Sequence, residues 1–351
     1  MENTTITWLL AEAGVKALII SQIVLVLAAA EVWIERRIAA FIQNRIGPNR
    51  VGPMGLLQPF ADVVKLFMKE DIIPAAAHKN FHRLAPTLAL IIAFSVYAVM
   101  PFGDYVNIMG HQVKMGILPD SNIGLLYILA MTSVGVYGIT LAGWSSNSKY
   151  SLLGGLRASA QMISYELSMG LSLVGIIMLT QTLSLDAMVK HQAGWFWNWH
   201  IVTQPLGFII FLVSSFAETN RTPFDLPEAE PELVGGFNTE YSGMKFGMFF
   251  LAEYANMATA SGLISLFYFG GYNLPFPQEM LGLEAGSIPL ALVQFGAFAL
   301  KVLFFIFFFV WVRWTVPRFR YDQLMSLGWK VMLPLAIINV LITASVIMFL
   351  K

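Results

Sequence analysis

The chain of 351 residues contains no cysteine. It therefore cannot bind an iron–sulfur cluster through thiolates, form a disulfide or hold zinc through cysteine. The sequence also lacks a phosphate-binding P-loop, a G-x-G-x-x-G dinucleotide fingerprint and a recognisable Ser-His-Asp pattern. His78 and His82 are four residues apart, but no HExxH motif accompanies them, and Pro74 and nearby charges predict a loop there. We predict no metal, flavin or iron–sulfur cluster in this chain.

Charged residues are also scarce, at 12% of the chain against 57% hydrophobic residues. Apolar runs of about 20 residues recur, each long enough to cross roughly 30 Å of hydrocarbon, and the loops between them are short. The sequence predicts an all-α integral membrane protein in contact with lipid, a single transmembrane domain over residues 1–351 with about eight helices. The predicted spans are residues 14–34, 84–102, 121–143, 156–180, 201–217, 245–270, 288–312 and 328–350.

Lysine and arginine are distributed unevenly among the predicted loops. Fifteen lie in the loops that follow the odd-numbered spans or at the edges of those loops, against three, Lys114, Lys190 and Lys351, on the other side. The positive-inside rule then predicts a multi-pass protein with both termini outside. The first apolar run has no basic residue before Lys16, which indicates an uncleaved helix rather than a signal peptide. The loops predicted on the cytoplasmic side are 35–83, 145–155, 218–244 and 313–327.

The first cytoplasmic loop, residues 35–83, contains an amphipathic segment over residues 56–69. Its apolar residues recur at three- and four-residue steps, whereas Gln58, Asp62, Lys65 and Lys69 share the opposite stripe. This pattern predicts a short helix lying in the membrane interface. From the pattern alone, an ordinary surface anchor is the favoured interpretation.

The loop over residues 218–244 is strongly acidic. Between Glu218 and Glu240 it carries six of the 21 acidic residues and a single basic one, Arg221. Glu228, Glu230 and Glu232 are spaced by two, and the neighbouring prolines discourage a helix, so extended backbone would set alternate carboxylates about 6.6 Å apart. One water could bridge that gap, which favours proton or cation handling. A solvated acidic loop is the structural alternative.

Ionisable residues also occur inside the predicted spans: Glu166, Glu253 and Lys301, with Glu218 at a span end. An ionised group at the centre of a bilayer costs roughly 2.5–3.5 kcal/mol even on insertion scales. A structural explanation remains open, because a protonated glutamate can hydrogen-bond two helices together and a Glu–Lys pair can stabilise a bundle. Several such residues beside an acidic loop favour a proton path through bridging waters.

The same segments carry a family resemblance that runs essentially from end to end. They are ERRIAAFIQNRIGPNRVGPMGLLQPFADVVKLFMKE (35–70), AETNRTPFDLPEAEPELVGGFNTEY (217–241), AEYANM (252–257) and PRFRYDQLM (317–325). The chain resembles the H-subunit family of proton-translocating NADH:quinone oxidoreductase, respiratory complex I, which is called NADH dehydrogenase subunit 1 in mitochondria.

The resemblance implies a membrane-arm subunit that forms the quinone access tunnel and couples quinone reduction to proton translocation. Quinone, either ubiquinone or menaquinone, would be the substrate, and electrons would come from an iron–sulfur cluster in a neighbouring subunit. The partners would be the quinone-site subunits of the redox arm and small membrane-arm subunits, not nucleic acid. The wording of the first loop favours a bacterial cytoplasmic (inner) membrane over the mitochondrial inner membrane.

Residue roles follow from the resemblance position by position. The candidates for quinone binding are Arg36, Phe60, Asp62, Lys65, Arg221, Phe224 and Arg313. The candidates for the proton path are Glu166, Glu218, Asp225, Glu228, Glu230, Glu232 and Glu253.

Two other interpretations remain open at this stage. The equivalent subunit of a membrane-bound hydrogenase-like or ferredoxin-linked complex would share these motifs. A stand-alone proton-coupled transporter would need broken helices that bind a substrate and should be active when purified alone.

Overall fold

The computed structural model describes residues 2–108, 111–225 and 236–350. These residues are largely helical, and they include one antiparallel β-hairpin in which Val106 pairs with Val113. The all-α fold class is confirmed. The elements are α1 (Glu2–Ile42), α2 (Gln58–Met68), α3 (Lys79–Ser95), β1 (Tyr105–Ile108), β2 (His111–Lys114), α4 (Gly124–Ser145), α5 (Lys149–Thr180), α6 (Leu185–His191), α7 (His200–Thr203), α8 (Pro205–Glu218), α9 (Gly243–Tyr268), α10 (Ile288–Thr315), α11 (Tyr321–Leu327) and α12 (Leu333–Leu350).

Six helices in the described part of the chain are long and apolar enough to cross a membrane. The protein is therefore a multi-pass membrane protein. The predicted spans 201–217 and 245–270 fall on α8, which has only 14 residues, and on α9. The total of eight spans remains a prediction. The six helical segments are Leu10–Ile42, Lys79–Ala98, Gly124–Ser145, Lys149–Thr180, Ile288–Thr315 and Tyr321–Phe349.

Helix α9 forms the centre of the bundle and packs against α1, α3, α8 and α10. Every residue from Met257 to Tyr268 is buried. Many of these residues are small, which lets neighbouring helices approach closely. Both serine hydroxyls are satisfied within the helix: Ser261 donates to the Met257 carbonyl at 2.9 Å and Ser265 to the Ser261 carbonyl at 2.8 Å. A helix enclosed by other helices does not need a lipid-facing apolar surface, which explains its polar composition.

Two predicted loop boundaries were wrong. The first span extends beyond residue 34 to Ile42, so the charged residues 35–37 belong to α1 and not to the loop. The segment around His82 was predicted as loop, yet α3 begins at Lys79, and the His82 ring stacks on Tyr241 with centroids 4.0 Å apart. In both places packing against other helices allows charged or polar residues to continue a helix.

Helix α2 confirms the predicted amphipathic segment, with bounds two residues inside the start and one inside the end of the predicted range. Asp62 of its polar stripe pairs with Arg36 of α1, whereas Phe60, Val64 and Phe67 are exposed. The side of the membrane on which α2 lies remains a prediction.

Candidate functional site

The site starts from the last turns of α1. Glu31 and Glu35 are four residues apart in this helix, so their side chains lie on one face. Since α1 packs against α9 and α10, that face points into the protein, and both glutamates are buried. The continuation of α1 past residue 34 therefore brings Glu35 to the interior.

Glu35 lies in a buried group of charges that we call the Arg221 cluster, consisting of Glu35, Arg221, Glu253, Tyr254 and Arg313. The Glu35 carboxylate accepts from Arg221 Nη1 at 2.7 Å, from the Tyr254 hydroxyl at 2.9 Å and from Arg313 Nη1 at 2.5 Å. Arg221 Nε lies 2.6 Å from Oε1 of Glu253, and the guanidinium lies over the Tyr254 ring at 4.5 Å. Helices α1, α9 and α10 and the loop after α8 thus meet at Glu35.

Arg221 is only 2% exposed, so its charge depends on these partners. Burial by itself would lower the pKa of Arg221, but Glu253 and Glu35 together hold that pKa above its ordinary value. The cluster contains two cationic and two anionic side chains, so its formal charges cancel. Neutrality allows four ionisable groups to remain ionised away from water.

The loop that carries Arg221 is fixed by Gln161 of α5. Its amide Nε2 donates to the carbonyls of Ala217 and Phe224, each at 2.8 Å. The Phe224 ring packs edge-on against Tyr165. Phe224 is therefore a buried packing residue in the described chain, adjacent to the cluster.

Asp225 ends the described part of this loop. Its Oδ2 lies 3.0 Å from Nη2 of Arg318. Burial raises the pKa of Asp225 to about 6, although Arg318 and Arg313 oppose the shift. A carboxyl with this pKa exchanges protons close to neutral pH.

A cavity of about 80 Å³ extends from Glu253 on α9 to Glu218 at the end of α8. Asn256 and Thr259 also line it, together with apolar side chains. Part of its lining is polar, and a space of this size has room for several waters. Glu218 in turn interacts electrostatically with Glu166, which accepts a hydrogen bond from Ser133 of α4. The described proton-path candidates Glu166, Glu218 and Glu253 therefore follow one another across the bundle.

A second polar contact joins α1 to α2. Arg36 Nη1 lies 2.7 Å from Oδ2 of Asp62, and Lys65 Nζ lies 3.9 Å from Oδ1 of the same carboxylate. Gln58 donates to Asp62 at 3.2 Å. Of the quinone candidates, Arg36, Asp62 and Lys65 meet here, whereas Phe60 points away from this contact on the exposed face of α2.

Lys301 does not form the Glu–Lys pair that a structural explanation would allow. Its ammonium donates to the carbonyls of Phe269, Gly271 and Asn273 at 2.7, 2.8 and 2.6 Å. It also lies 4.5 Å from the centre of the Trp199 ring. Lys301 therefore binds the backbone that follows α9 and, among the described residues, no carboxylate of the path.

Some predicted site residues lie outside the described structure, and two site residues were not predicted. Glu228, Glu230 and Glu232 lie outside the described residues. Glu31 and Glu35 are the residues that sequence reasoning missed as site candidates. Glu31 falls within the predicted first span, so a carboxyl among apolar residues was a signal already present in the sequence. Within the described ranges, His, Asp and Glu side chains form no group of three or more that could hold a metal ion.

Comparison with known sequences gives a consistent result. The sequence model of the family described as NADH dehydrogenase matches residues 15–344. The chain is 55% identical to NADH-quinone oxidoreductase subunit 8 of Rhodothermus marinus over 93% of this chain and 95% of that protein. It is 54% identical to the first H subunit of NADH-quinone oxidoreductase of Cytophaga hutchinsonii over 92% and 93%. It is 52% identical to the H subunit of the same enzyme in Salinibacter ruber over 95% of each.

Proposed function

Because the chain belongs to the NADH dehydrogenase family, as a relative of the H subunit of NADH-quinone oxidoreductase, we propose that it lines the quinone cavity of such a complex and couples quinone reduction to proton translocation. The complex would lie in a bacterial cytoplasmic membrane, with both termini of this chain outside. The partners would be redox-arm subunits that complete the quinone site and small subunits of the membrane arm.

The observation that carries this proposal is the Arg221 cluster with the cavity beside it. A redox-linked proton pump needs a place where a change of charge on the substrate alters the protonation of nearby groups. Reduction of a quinone adds two electrons and requires two protons. Buried arginines close to the quinone would stabilise negative charge as it develops on the quinone oxygens. Arg221 and Arg313 are suited to this role because their charges are little screened by solvent.

On the quinone side, Arg36, Asp62 and Lys65 would form the charged section of the cavity wall. The exposed apolar face of α2, including Phe60, would contact the quinone tail, lipid or a neighbouring subunit. Phe224 would support the wall from behind by fixing the loop of Arg221. Electrons would reach the quinone from a neighbouring subunit, because a chain with no cysteine cannot bind an iron–sulfur cluster through thiolates.

On the coupling side, a proton taken up or released near Arg221 would be passed by Glu253 through the cavity to Glu218 and Glu166. Burial raises the pKa of a carboxyl and a nearby cation lowers it. When the two effects balance, the pKa lies close to neutral and the carboxyl exchanges protons readily with neighbouring waters. Asp225, and Glu228, Glu230 and Glu232 in the adjoining loop, would supply protons from the side on which the quinone binds.

The test replaces Glu218 or Glu253 by glutamine in the assembled complex, with Glu284→Gln as the matched control because Glu284 is exposed on a loop before α10. Glutamine keeps the size of the side chain but cannot carry a transferable proton. We expect NADH:quinone turnover and proton uptake into vesicles to fall together, on the order of tenfold to a hundredfold. NADH oxidation by an artificial acceptor should persist.

Glu218→Asp should retain more activity than Glu218→Gln, since a water can fill the space left by one methylene. Activities are normalised to assembled complex, so that a loss of assembly is not mistaken for a loss of coupling. Full pumping in both glutamine variants would refute the proposed path and leave these glutamates with a structural role.

A further inference from the structure

Glu31 is a buried acid that does not belong to the proposed proton path through Glu253, Glu218 and Glu166. Its side chain is completely buried. No described residue offers either carboxyl oxygen a hydrogen bond. An ionised carboxylate in such surroundings is costly, and so is any buried polar group that has no hydrogen-bond partner. A leucine would fill the same place on α1 without this cost, so the acid needs another explanation.

The neighbours of Glu31 connect two parts of the site. One turn along α1 it faces Glu35, and it interacts electrostatically with Glu35 and Arg221 of the cluster. Glu31 also interacts electrostatically with Tyr97, whose buried hydroxyl donates to the Ala255 carbonyl at 2.9 Å. Thr259 is a neighbour of that hydroxyl, and Thr259 also lines the cavity that contains Glu253 and Glu218.

We propose that Glu31 is a further proton-exchanging residue, which links the Arg221 cluster to the cavity through Tyr97 and Thr259. This inference rests on the proposed function of the cavity. The route runs alongside the direct one through Glu253, and it begins at the carboxylate that both arginines share.

Charge balance explains why Glu31 holds a proton at rest. Arg221 and Arg313 are matched by Glu35 and Glu253, so a third carboxylate would leave the buried group with a net negative charge. Glu31 is therefore neutral while both arginines are fully paired. When the substrate draws one arginine towards its own negative charge, Glu35 loses a partner and becomes able to take up a proton.

Each transfer moves one proton and conserves charge. Because no hydrogen bond joins Glu31 to Tyr97 or to Glu35, the transfer requires a bridging water on each side of Glu31. Glu31 releases its proton through one water to the Tyr97 oxygen, while the Tyr97 hydroxyl turns from the Ala255 carbonyl and gives its own proton to Thr259 and the water of the cavity, so Tyr97 stays neutral. The Glu31 carboxylate then accepts a proton from Glu35 through the other water. The result is one proton delivered from the cluster to the cavity, with Glu31 returned to its neutral form.

The first experiment replaces Glu31 by glutamine in the assembled complex, with Glu12→Gln as control because Glu12 lies on the same helix and is paired with Lys16 at 2.6 Å. We expect NADH:quinone turnover and pumping to fall at least tenfold in Glu31→Gln, less in Glu31→Asp, and not at all in Glu12→Gln. Infrared difference spectra on quinone reduction should contain the carbonyl band of a protonated carboxyl that is absent in Glu31→Gln.

A second variant keeps the inference testable if Glu31→Gln does not assemble. Tyr97→Phe removes only the hydroxyl, and it should also lower turnover about tenfold. The Glu31 carbonyl band should then be missing from the difference spectrum, because Glu31 keeps its proton when the quinone is reduced. Full turnover in Tyr97→Phe would overturn the inference. It would also be overturned if the infrared difference spectrum of Glu31→Asp were identical to that of the unmodified protein, because the carbonyl band of an aspartic acid at this position should differ from that of Glu31. Full activity of Glu31→Gln beside inactive Glu218→Gln would overturn the role of Glu31 alone, whereas full activity in both would refute the cavity path as a whole.

Discussion

Arg221 should be the most costly single side chain to remove from this protein. We expect Arg221→Met to destabilise the packing of α1, α9 and α10, because the cluster would then contain two carboxylates and only one arginine. Methionine matches the length of the arginine stem but provides no charge. Arg221→Lys should fall between, because one ammonium cannot reach Glu35 and Glu253 with the geometry of a guanidinium.

The magnitude follows from the contacts. Removing one partner from a buried ion pair costs about 3–5 kcal/mol, since the other charge is left without compensation. Glu35 would retain Arg313 at 2.5 Å and Tyr254 at 2.9 Å, so most of the cost would come from Glu253, whose carboxylate lies 2.6 Å from Arg221. At one factor of ten for each 1.4 kcal/mol, local opening should become about a hundredfold to a thousandfold more frequent.

The absence of native cysteine provides the assay. Ala255 is completely buried in α9 next to Tyr254. A cysteine introduced there reacts with a thiol reagent only when this region opens, so its labelling rate in the assembled complex reports the opening equilibrium. The rate is read on this subunit after separation from the others.

Arg320→Met is the matched control, because the pair of Arg320 with Asp322 is largely exposed at 76% and 68%. The double variant Arg221→Met/Glu253→Gln should label more slowly than Arg221→Met, since it removes the carboxylate that loses the charge of Arg221. A labelling rate in Arg221→Met that matches the Arg320→Met control would refute this account of the cluster. So would free-energy costs of Arg221→Met and Glu253→Gln that add in the double variant.

Two further predictions concern the loops. Burial lowers the pKa of His200 to about 4. The contribution of the neutral imidazole to the free energy of unfolding is therefore complete above pH 6.5 and is lost as the pH falls towards 4. At pH 5 the loss should be about 2 kcal/mol. Amide hydrogen exchange in residues 200–203, corrected for intrinsic rates, should therefore quicken between pH 7 and pH 5, and His200→Gln should remove this dependence. For orientation, a single cysteine in place of Glu230 should react with a membrane-impermeant reagent from the cytoplasmic side and one in place of Lys114 from the opposite side; the reverse pattern would invert the predicted topology.

Much of the fold could be predicted because the relevant signals are local. The helical repeat in residues 56–69 fixes α2 to within two residues at either end. Apolar runs identify the long lipid-facing helices. The end of α1 could not be predicted in this way, because its continuation past Glu35 depends on partners that are distant in the sequence, Arg221 and Arg313. The β-hairpin in residues 105–114 was also missed, since two strands of four residues carry little periodic signal.

Only part of the site could be predicted, because some of its signals are local in the sequence and others depend on contacts between distant residues. A carboxyl within an apolar run is visible in the sequence, so Glu166, Glu218 and Glu253 could be selected from the order of residues alone. Spacing cannot show which cation each carboxyl meets. Arg221 contacts residues of α1 and α9, and Lys301 proves to bind backbone carbonyls although it lies in an apolar helix as the glutamates do.

The cost of the Arg221 cluster bears on why it is present. A well-packed apolar group of the same volume would be at least as stable as a buried ion network, so stability alone does not explain four ionisable side chains at this junction. Balanced charge makes the arrangement sensitive, because any negative charge brought near Arg221 or Arg313 must be answered by a proton or by a rearranged ion pair. Glu35, Glu253 and Glu31 are the acids placed to give that answer. The Arg221 cluster together with Glu31 holds three acids against two arginines, which is the excess of acid that the proposed conversion of a substrate charge into a delivered proton requires.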